Sequence, residues 1–153
     1  MSKYVEGFDV NQLTFFPMSF DDMIDEDNPV RSISAIVDTM DDTVLTFTHS
    51  KTKSTGRPPY NPVLMFKIYL YCYYNAIRSS RRIERECKRN IELMWLTGGI
   101  APDHKTIANF RKENKKAIES AHREFIRICD ELKLIGKEIV AIDGTKVKAN
   151  NSR

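Results

Sequence analysis

The sequence lacks the cysteine and histidine spacings of disulfide frameworks and metal sites. It contains three cysteines (Cys72, Cys87 and Cys129) and three histidines, scattered along 153 residues without a C-x-x-C pair. An odd, scattered set of cysteines is typical of buried thiols in a reducing compartment. We therefore expect free thiols, no zinc site and a cytoplasmic protein.

A hydrophobic run long enough to cross a membrane is also lacking. The longest apolar stretch, residues 63–77, is fifteen residues long and includes Lys67, whereas about 20 apolar residues are needed to span a bilayer. No positively charged start followed by an apolar run is present, so we expect no signal peptide and no membrane partner. The stretch is predicted to be a core helix that other helices surround.

Basic residues are scarce in the first part of the chain and outnumber acidic residues in the second part. Residues 1–56 contain four Lys and Arg against ten Asp and Glu, a balance of −6, and residues 57–153 contain twenty against eleven, a balance of +9. The two balances sum to the net charge of +3. A basic body behind an acidic leader indicates a polyanionic partner, provided that the basic residues cluster.

Two Asn-Pro pairs predict the starts of the first two helices. Asn28 and Asn61 are good N-caps, and Pro29 and Pro62 suit the first helical position. The first helix carries an apolar stripe at three- and four-residue steps, and the second is predicted to run to about Ile77. The stripe of the first helix consists of Val30, Ile33, Val37 and Met40.

Three further helices are predicted, which makes the fold class mainly α, a helical bundle. One begins at Ser79 or Ser80 and ends at Gly98-Gly99, and the next, "HKTIANFRKEN", begins behind Pro102-Asp103. The last, "KKAIESAHREFIRICDELKLIGK", ends at Gly136. Its predicted apolar face consists of Ile118, Ala121, Phe125, Ile128 and Leu132.

The helix that begins near Ser80 is predicted to carry one cationic face. On a helical wheel, four arginines fall within about 100° of arc with a lysine at the edge, and Ile83, Cys87 and Ile91 fall opposite. Pairs between Glu84 and Lys88 and between Arg82 and Glu86 would offset part of the repulsion. Arginine forks match phosphate geometry, although a solvated helix face is the alternative. The cations are Arg81, Arg82, Arg85, Lys88 and Arg89.

The following helix is predicted to present a second such face. Three lysines and an asparagine lie within about 60° of arc, and Ile107 and Phe110 point away from them. Lysines contact phosphates, and an amide can pair with adenine in the major groove. Two helices joined by a short turn match a helix-turn-helix in outline, although Asn109 as an ordinary surface residue is the alternative. The four residues are Lys105, Asn109, Lys112 and Lys116.

A single carboxylate follows the last apolar run of the chain. In "EIVAIDGTKVKAN", residues 139–142 are apolar and lead directly into Asp143. Taken alone, Asp143-Gly144 between two strand-like runs indicates a hairpin turn. Residues 138–153 are therefore predicted to form a strand or hairpin.

The wider sequence resembles the DDE transposases of bacterial insertion sequences, and more narrowly the eleven-eighty-two branch of the IS-five-like group. The resemblance runs from about Val30 to the last residue. The motifs that carry it occur in order along the chain: "GRPPY", "RSSRRIE", "ELMWLTGG", "PDHKTIANFR" and "DGTK". A match to this many motifs in order is much more specific than any single motif.

The charge balance and the polar linker divide the chain at residue 56, so that residues 1–56 would form an acidic arm with one helix and a linker. The resemblance implies that residues 57–137 form a helical DNA-binding domain and that residues 138–153 are the start of an RNase H-like catalytic fold. Asp143 would be the first carboxylate of the D-D-E site, which holds two Mg²⁺ ions in the complete enzyme. The second Asp and the Glu come later in the family than Arg153, so we expect no Mg²⁺ on this chain and no catalysis by it alone.

We therefore expect the N-terminal region of a transposase that binds double-stranded DNA at the element's terminal inverted repeats. Two alternatives stay open: a helical regulator or protein-interaction module without enzymatic activity, and an enzyme completed in trans or by translational frameshifting. A homo-oligomer is compatible with each of these functions.

Overall fold

The described part of the chain in this computed structural model is mainly helical, as predicted. It comprises residues 9, 11–13, 15, 17–48 and 59–134, so the strand or hairpin predicted for residues 138–153 lies outside it. No described helix is long and apolar enough to cross a bilayer. A short 3-10 helix, Asp21–Met23, precedes six α-helices: α1 Pro29–Thr39, α2 Pro62–Tyr74, α3 Ser80–Arg89, α4 Ile91–Thr97, α5 His104–Glu113 and α6 Lys115–Glu131.

Helices α1 and α2 begin where the Asn-Pro pairs predict. The side chain of Asn28 accepts from the Val30 N–H at 2.9 Å, and that of Asn61 accepts from the Val63 N–H at 2.8 Å. The end of α2 was predicted too late, because the helix stops at Tyr74 and not at Ile77. Ala76, at φ 57°, turns the chain in the left-handed region and directs Ile77 back into the core.

The helix predicted from Ser79 or Ser80 to Gly98 is two helices, and the single-helix prediction was wrong. Asn90 ends α3 with extended backbone angles (φ −86°, ψ 116°) and caps α4. Its side-chain oxygen accepts from the N–H groups of Glu92 and Leu93 at 3.0 and 3.4 Å. Ser79 is the N-cap of α3, and Gly98, at φ 63°, ends α4.

The core is built around α2, as predicted for a helix that is apolar on nearly all sides. Helix α2 packs against α1, α4 and α5, and Phe66 at its centre is fully buried. Cys72 and Cys87 are each 1% exposed, and all three cysteines are free and buried, as predicted. Burial of α2 on several sides therefore holds the other helices in place.

Polar side chains connect α1 and α2 to the break between α3 and α4. The hydroxyl of Tyr71 donates to Glu92, and the side-chain amide of Asn28 donates to the same carboxylate at 2.8 Å. Asn90 completes the group by donating to the Tyr71 oxygen at 3.2 Å. Partly buried polar groups with their hydrogen bonds satisfied fix one arrangement of the helices that carry them.

The apolar face predicted for α6 is present, but the helix is shorter than predicted. Ile118 and Ala121 are buried, and Phe125 and Ile128 are half-buried against the core. The helix ends at Glu131 and not at Gly136, and Lys133, at φ 53°, turns the chain immediately afterwards. Leu132, predicted for the buried face, is 56% exposed.

Residues on both sides of the predicted boundary at residue 56 contribute to one core. Helix α1 packs on α2, α4 and α6. The ring of Phe47, in the segment that follows α1, lies 5.3 Å from Phe66 of α2 and 5.5 Å from Phe110 of α5. The division into an arm and a separate DNA-binding domain stays a prediction, with α1 and residue 47 packed on the helical body.

Candidate nucleic-acid interface

Helix α3 presents the predicted cations on its exposed face. Ile83 and Cys87, which are 2% and 1% exposed, face the core on the other side of the helix. The exposed cations are Arg81, Arg82, Arg85, Lys88 and Arg89.

Two of the five cations on α3 are ion-paired. Lys88 Nζ lies 3.0 Å from Glu84 Oε1, as predicted. Arg82 and Glu86 are not within ion-pair distance, but the hydrogen bond from Arg89 and, to a smaller extent, the charge of Arg82 lower the pKa of Glu86. Glu86 is 7% exposed and instead accepts from Arg89 Nε at 2.8 Å and from the Asn90 amide at 3.4 Å. The other three arginines have no carboxylate within ion-pair distance in the described part of the chain.

Helix α5 presents three of the four predicted residues of the second face. Lys105, Asn109 and Lys112 are exposed, whereas Ile107 and Phe110 are 4% and 9% exposed and face the core. The fourth residue, Lys116, is exposed on α6, so the prediction that all four lie on one helix was wrong.

Asn114 separates α5 from α6 and explains where Lys116 lies. Its side chain is 3% exposed, and its oxygen accepts from the backbone N–H and the hydroxyl of Thr48 at 2.7 and 3.0 Å. Its amide donates to the Phe110 carbonyl at 3.1 Å. Lys112 and Lys116 nevertheless line one shallow depression beside Thr48, so the second cationic surface continues across the junction of the two helices.

Helices α3 and α5 pack side by side in opposite directions. Glu84, in the middle of α3, accepts from the backbone N–H of His104 at 3.0 Å, where α5 begins. Arg111, near the end of α5, donates to the carbonyl of Arg78, just before α3, at 2.8 Å. The contact between α3 and α5 is called the seam below. Because it is hydrogen-bonded both at the start of α5 and near its end, the exposed faces of the two helices are held in a fixed relation.

The two cationic faces border each other along this seam. On an ideal wheel, Glu84 lies about 100° from the buried Ile83, and Lys88 and Arg81 follow at about 140° and 160°. On α5, His104 lies about 60° from the buried Ile107, and two lysines follow at about 140° and 160°. The side chains that border the seam are therefore Arg81 and Lys88 of α3 and Lys105 and Lys112 of α5.

Glu84 remains a carboxylate to low pH. Its oxygens accept from Lys88 Nζ at 3.0 Å and from the His104 backbone at 3.0 Å, and His104 Nδ1 lies 2.7 Å away. The hydrogen bonds from His104, and then from Lys88, lower the pKa of Glu84 from its usual 4.5 to about 2. Glu84 therefore stabilises the seam as an anion, and its charge interacts with Lys88 and His104 of the protein itself.

Replacement of Glu84 by glutamine is expected to make the free energy of unfolding depend less on pH in the acid range. Because the pKa of Glu84 is lower in the folded protein than in the unfolded chain, its charge stabilises the fold above pH 4.5, and this stabilisation is lost as the pH falls towards 2. Glu84→Gln should lower the free energy of unfolding at pH 7 and weaken its change between pH 4.5 and 2. Urea titrations at several pH values measure both effects.

The matched control is Glu119→Gln, on the exposed face of α6. This variant should follow the wild-type profile, since the Glu119 side chain is exposed and has no ion pair in the described part of the chain. An acid profile as steep in Glu84→Gln as in the wild type would contradict the role assigned to Glu84.

Three residues that orient the two faces were not identified as site residues from the sequence. Glu84 was predicted only as an ion-pair partner of Lys88, and His104 and Arg111 were given no role. Their partners are twenty to thirty-three positions away in the chain, so no local spacing indicates them. The motif strings do include all three, which is the one signal that could have drawn attention to them.

The predicted catalytic residue and metal ligand, Asp143, lies outside the described residues. Within the described part of the chain, no three His, Cys, Asp or Glu side chains are placed to hold a metal ion. The roles of Asp143 and of Mg²⁺ therefore stay predictions.

The comparisons with known proteins give one match. Residues 18–113, which include α1 to α5 and both cationic helices, match the family model described as Transposase domain (DUF772). No curated protein and no solved structure matches the chain. Since the match covers more than half of the 153 residues, the chain belongs to the transposase domain (DUF772) family.

Proposed function

We propose that this chain is the N-terminal region of a DDE transposase from a bacterial insertion sequence of the IS-five-like group. In this proposal, the helical body binds the double-stranded DNA of the element's terminal inverted repeats. Membership of the transposase domain family supports a transposase-related function. The motif strings of the sequence support the narrower assignment.

The observation that carries the proposal is the unpaired charge on adjacent helices. Six exposed cations on α3, α5 and the start of α6 have no ion-pair partner in the described part of the chain. Like charges close together repel one another, and phosphates of a nucleic acid would neutralise them. The six are Arg81, Arg82, Arg85, Lys105, Lys112 and Lys116.

The arrangement fits a duplex for a geometric reason. Helices α3 and α5 are fixed to each other by Glu84, His104 and Arg111, so their cations meet a polyanion as one rigid surface. A rigid surface loses less conformational entropy on binding than a mobile one. Lysines and arginines on it would contact phosphates, and Asn109 is the candidate for base contact. In this proposal, the two helices also act as a helix-turn-helix on the duplex.

Duplex DNA binding should show a steep dependence on salt. If each of the six cations meets one phosphate, the logarithm of the affinity falls against the logarithm of the salt concentration with a slope of about −5. Fluorescence anisotropy with a labelled duplex between 50 and 200 mM NaCl measures this slope. An affinity that does not change with salt would contradict the proposal.

The alternative is a helical module that binds a protein partner and has no affinity for DNA. Such a module has no comparable need for six unpaired cations on neighbouring helices. The two functions are distinguished by the same titration, because only a DNA-binding protein shifts the anisotropy of the duplex.

A further inference from the structure

A pocket of about 260 Å³ lies between α5, the start of α2 and the segment that follows α1. Pockets that hold drug-sized molecules measure about 300–1,000 Å³, so this one suits a smaller group of atoms. Aromatic or apolar side chains and more exposed polar side chains both line it. The former are Tyr60, Met65 and Phe110, and the latter are Thr106, Asn109 and Glu113 of α5.

Hydrogen bonds of Asn114 hold the walls of the pocket together. The backbone N–H and the hydroxyl of Thr48, which lines the pocket, donate to the Asn114 side-chain oxygen at 2.7 and 3.0 Å. The Asn114 amide donates to the Phe110 carbonyl at 3.1 Å. A pocket whose walls are already fixed loses less conformational entropy when a ligand binds.

Asn109 lies between the pocket and the two lysines that α5 exposes. Residues three and four positions apart on a helix are neighbours, with about 5–6 Å between their Cβ atoms. Asn109 therefore neighbours Lys105 and Lys112 on one side and Thr106 and Glu113 on the other. A nucleotide whose phosphate contacts these lysines has its base beside Asn109, next to the pocket.

We propose that this pocket binds a single unpaired adenine of the bound DNA, an inference that rests on the proposed function. The Asn109 amide pairs with the ring nitrogen N7 and the exocyclic amine N6 of the base. Glu113, one helical turn further along α5, accepts the second hydrogen of the same amine. The rings of Tyr60 and Phe110 supply the kind of surface on which unstacked bases bind.

The polar lining of the pocket favours a base over a phosphate. Glu113 is exposed and has no ion pair in the described part of the chain. Its carboxylate can only accept hydrogen bonds and repels an anion, so it requires a donor such as an exocyclic amine. A base that is already unpaired enters the pocket without the cost of breaking a base pair.

Binding of three short duplexes to the full chain tests the proposal. One duplex is fully paired, one carries a bulged adenine at its centre, and one carries a bulged purine, which is adenine without the N6 amine. Fluorescence anisotropy should show that the adenine-bulged duplex binds at least about tenfold more tightly than the purine-bulged duplex. Because both bulges bend the DNA and present the same ring system, this difference measures recognition of the amine.

Two results of this comparison would overturn the proposal. One is an equal affinity for the adenine-bulged and purine-bulged duplexes, and the other is an adenine-bulged duplex that binds no more tightly than the paired one. Either result, together with a steep salt dependence for the paired duplex, leaves the proposed function in place. If none of the duplexes binds, the proposed function fails and this inference fails with it.

Replacement of Glu113 by alanine connects the preference for the amine to the pocket. The ratio of the affinities for the adenine-bulged and purine-bulged duplexes should fall at least about threefold, because one acceptor of the amine is lost. The removed charge affects both duplexes alike and cancels in this ratio. The matched control, Glu119→Ala on the exposed face of α6, should keep the wild-type ratio. An unchanged ratio in Glu113→Ala would also overturn the proposal.

Discussion

Joint replacement of Arg81, Arg82 and Arg85 by alanine is expected to weaken duplex DNA binding about 500-fold at 100 mM salt. The three arginines are exposed, and none is ion-paired in the described part of α3 and its surroundings. Each phosphate contact contributes about 0.9 to the slope of log affinity against log salt, so its loss at 100 mM salt is worth about eightfold. Three contacts multiply to about 500-fold, and the slope should change from about −5 to about −3.

Fluorescence anisotropy over a salt series gives both the affinity and the slope. The charge-matched control is Arg123→Ala, Arg127→Ala and Lys133→Ala, which removes three cations from the far half of α6 and the turn behind it. If that control weakens binding as much as the α3 variant does, the cationic faces have no special role. Equal slopes for the α3 variant and the wild type would lead to the same conclusion.

Replacement of the same three arginines by lysine separates charge from geometry. Lysine keeps the charge but not the planar fork that binds a phosphate with two hydrogen bonds. The salt slope should therefore stay near that of the wild type, while the affinity falls by much less than in the alanine variant. Circular dichroism of all variants confirms that α3 is retained.

The helix starts could be predicted from the sequence because they depend on neighbouring residues. Asn28 and Asn61 each cap the helix that begins one residue later, and the prolines at the first positions have no N–H to leave unpaired. The buried and exposed sides of α3 and α5 were predictable for the same reason, since helical periodicity alone places Ile83 and Ile107 opposite the cations.

The break at Asn90 could not be predicted in the same way. The apolar pattern continues from Ile83 through Cys87 to Ile91, which favours one helix. Asn90 is held by Tyr71, nineteen residues away, in addition to its own helix ends. Local spacing does not show such a contact, and the same is true of the hydrogen bonds from Glu84 to His104 and from Arg111 to Arg78.

Replacement of Phe47 by alanine is expected to destabilise the whole helical body by about 3–5 kcal/mol. Phe47 is 7% exposed, and its ring packs on Phe66 of α2 and Phe110 of α5, so its removal leaves a cavity between three segments. Stabilities of small domains are about 5–15 kcal/mol, so this loss is a large fraction of the total. Urea unfolding followed by circular dichroism and by fluorescence of Trp95, the single tryptophan, measures it.

The matched control comes from the same side of the predicted boundary at residue 56. Leu13 is 93% exposed, and Leu13→Ala should change the free energy of unfolding by less than about 0.5 kcal/mol. If Phe47→Ala lowers stability in one transition seen by both signals, the segment around Phe47 and helices α2 to α6 unfold together. The Trp95 signal follows the unfolding of α4 and is not a local signal from residue 47. A Phe47→Ala variant as stable as Leu13→Ala would therefore show that the segment around Phe47 does not belong to the cooperative unit.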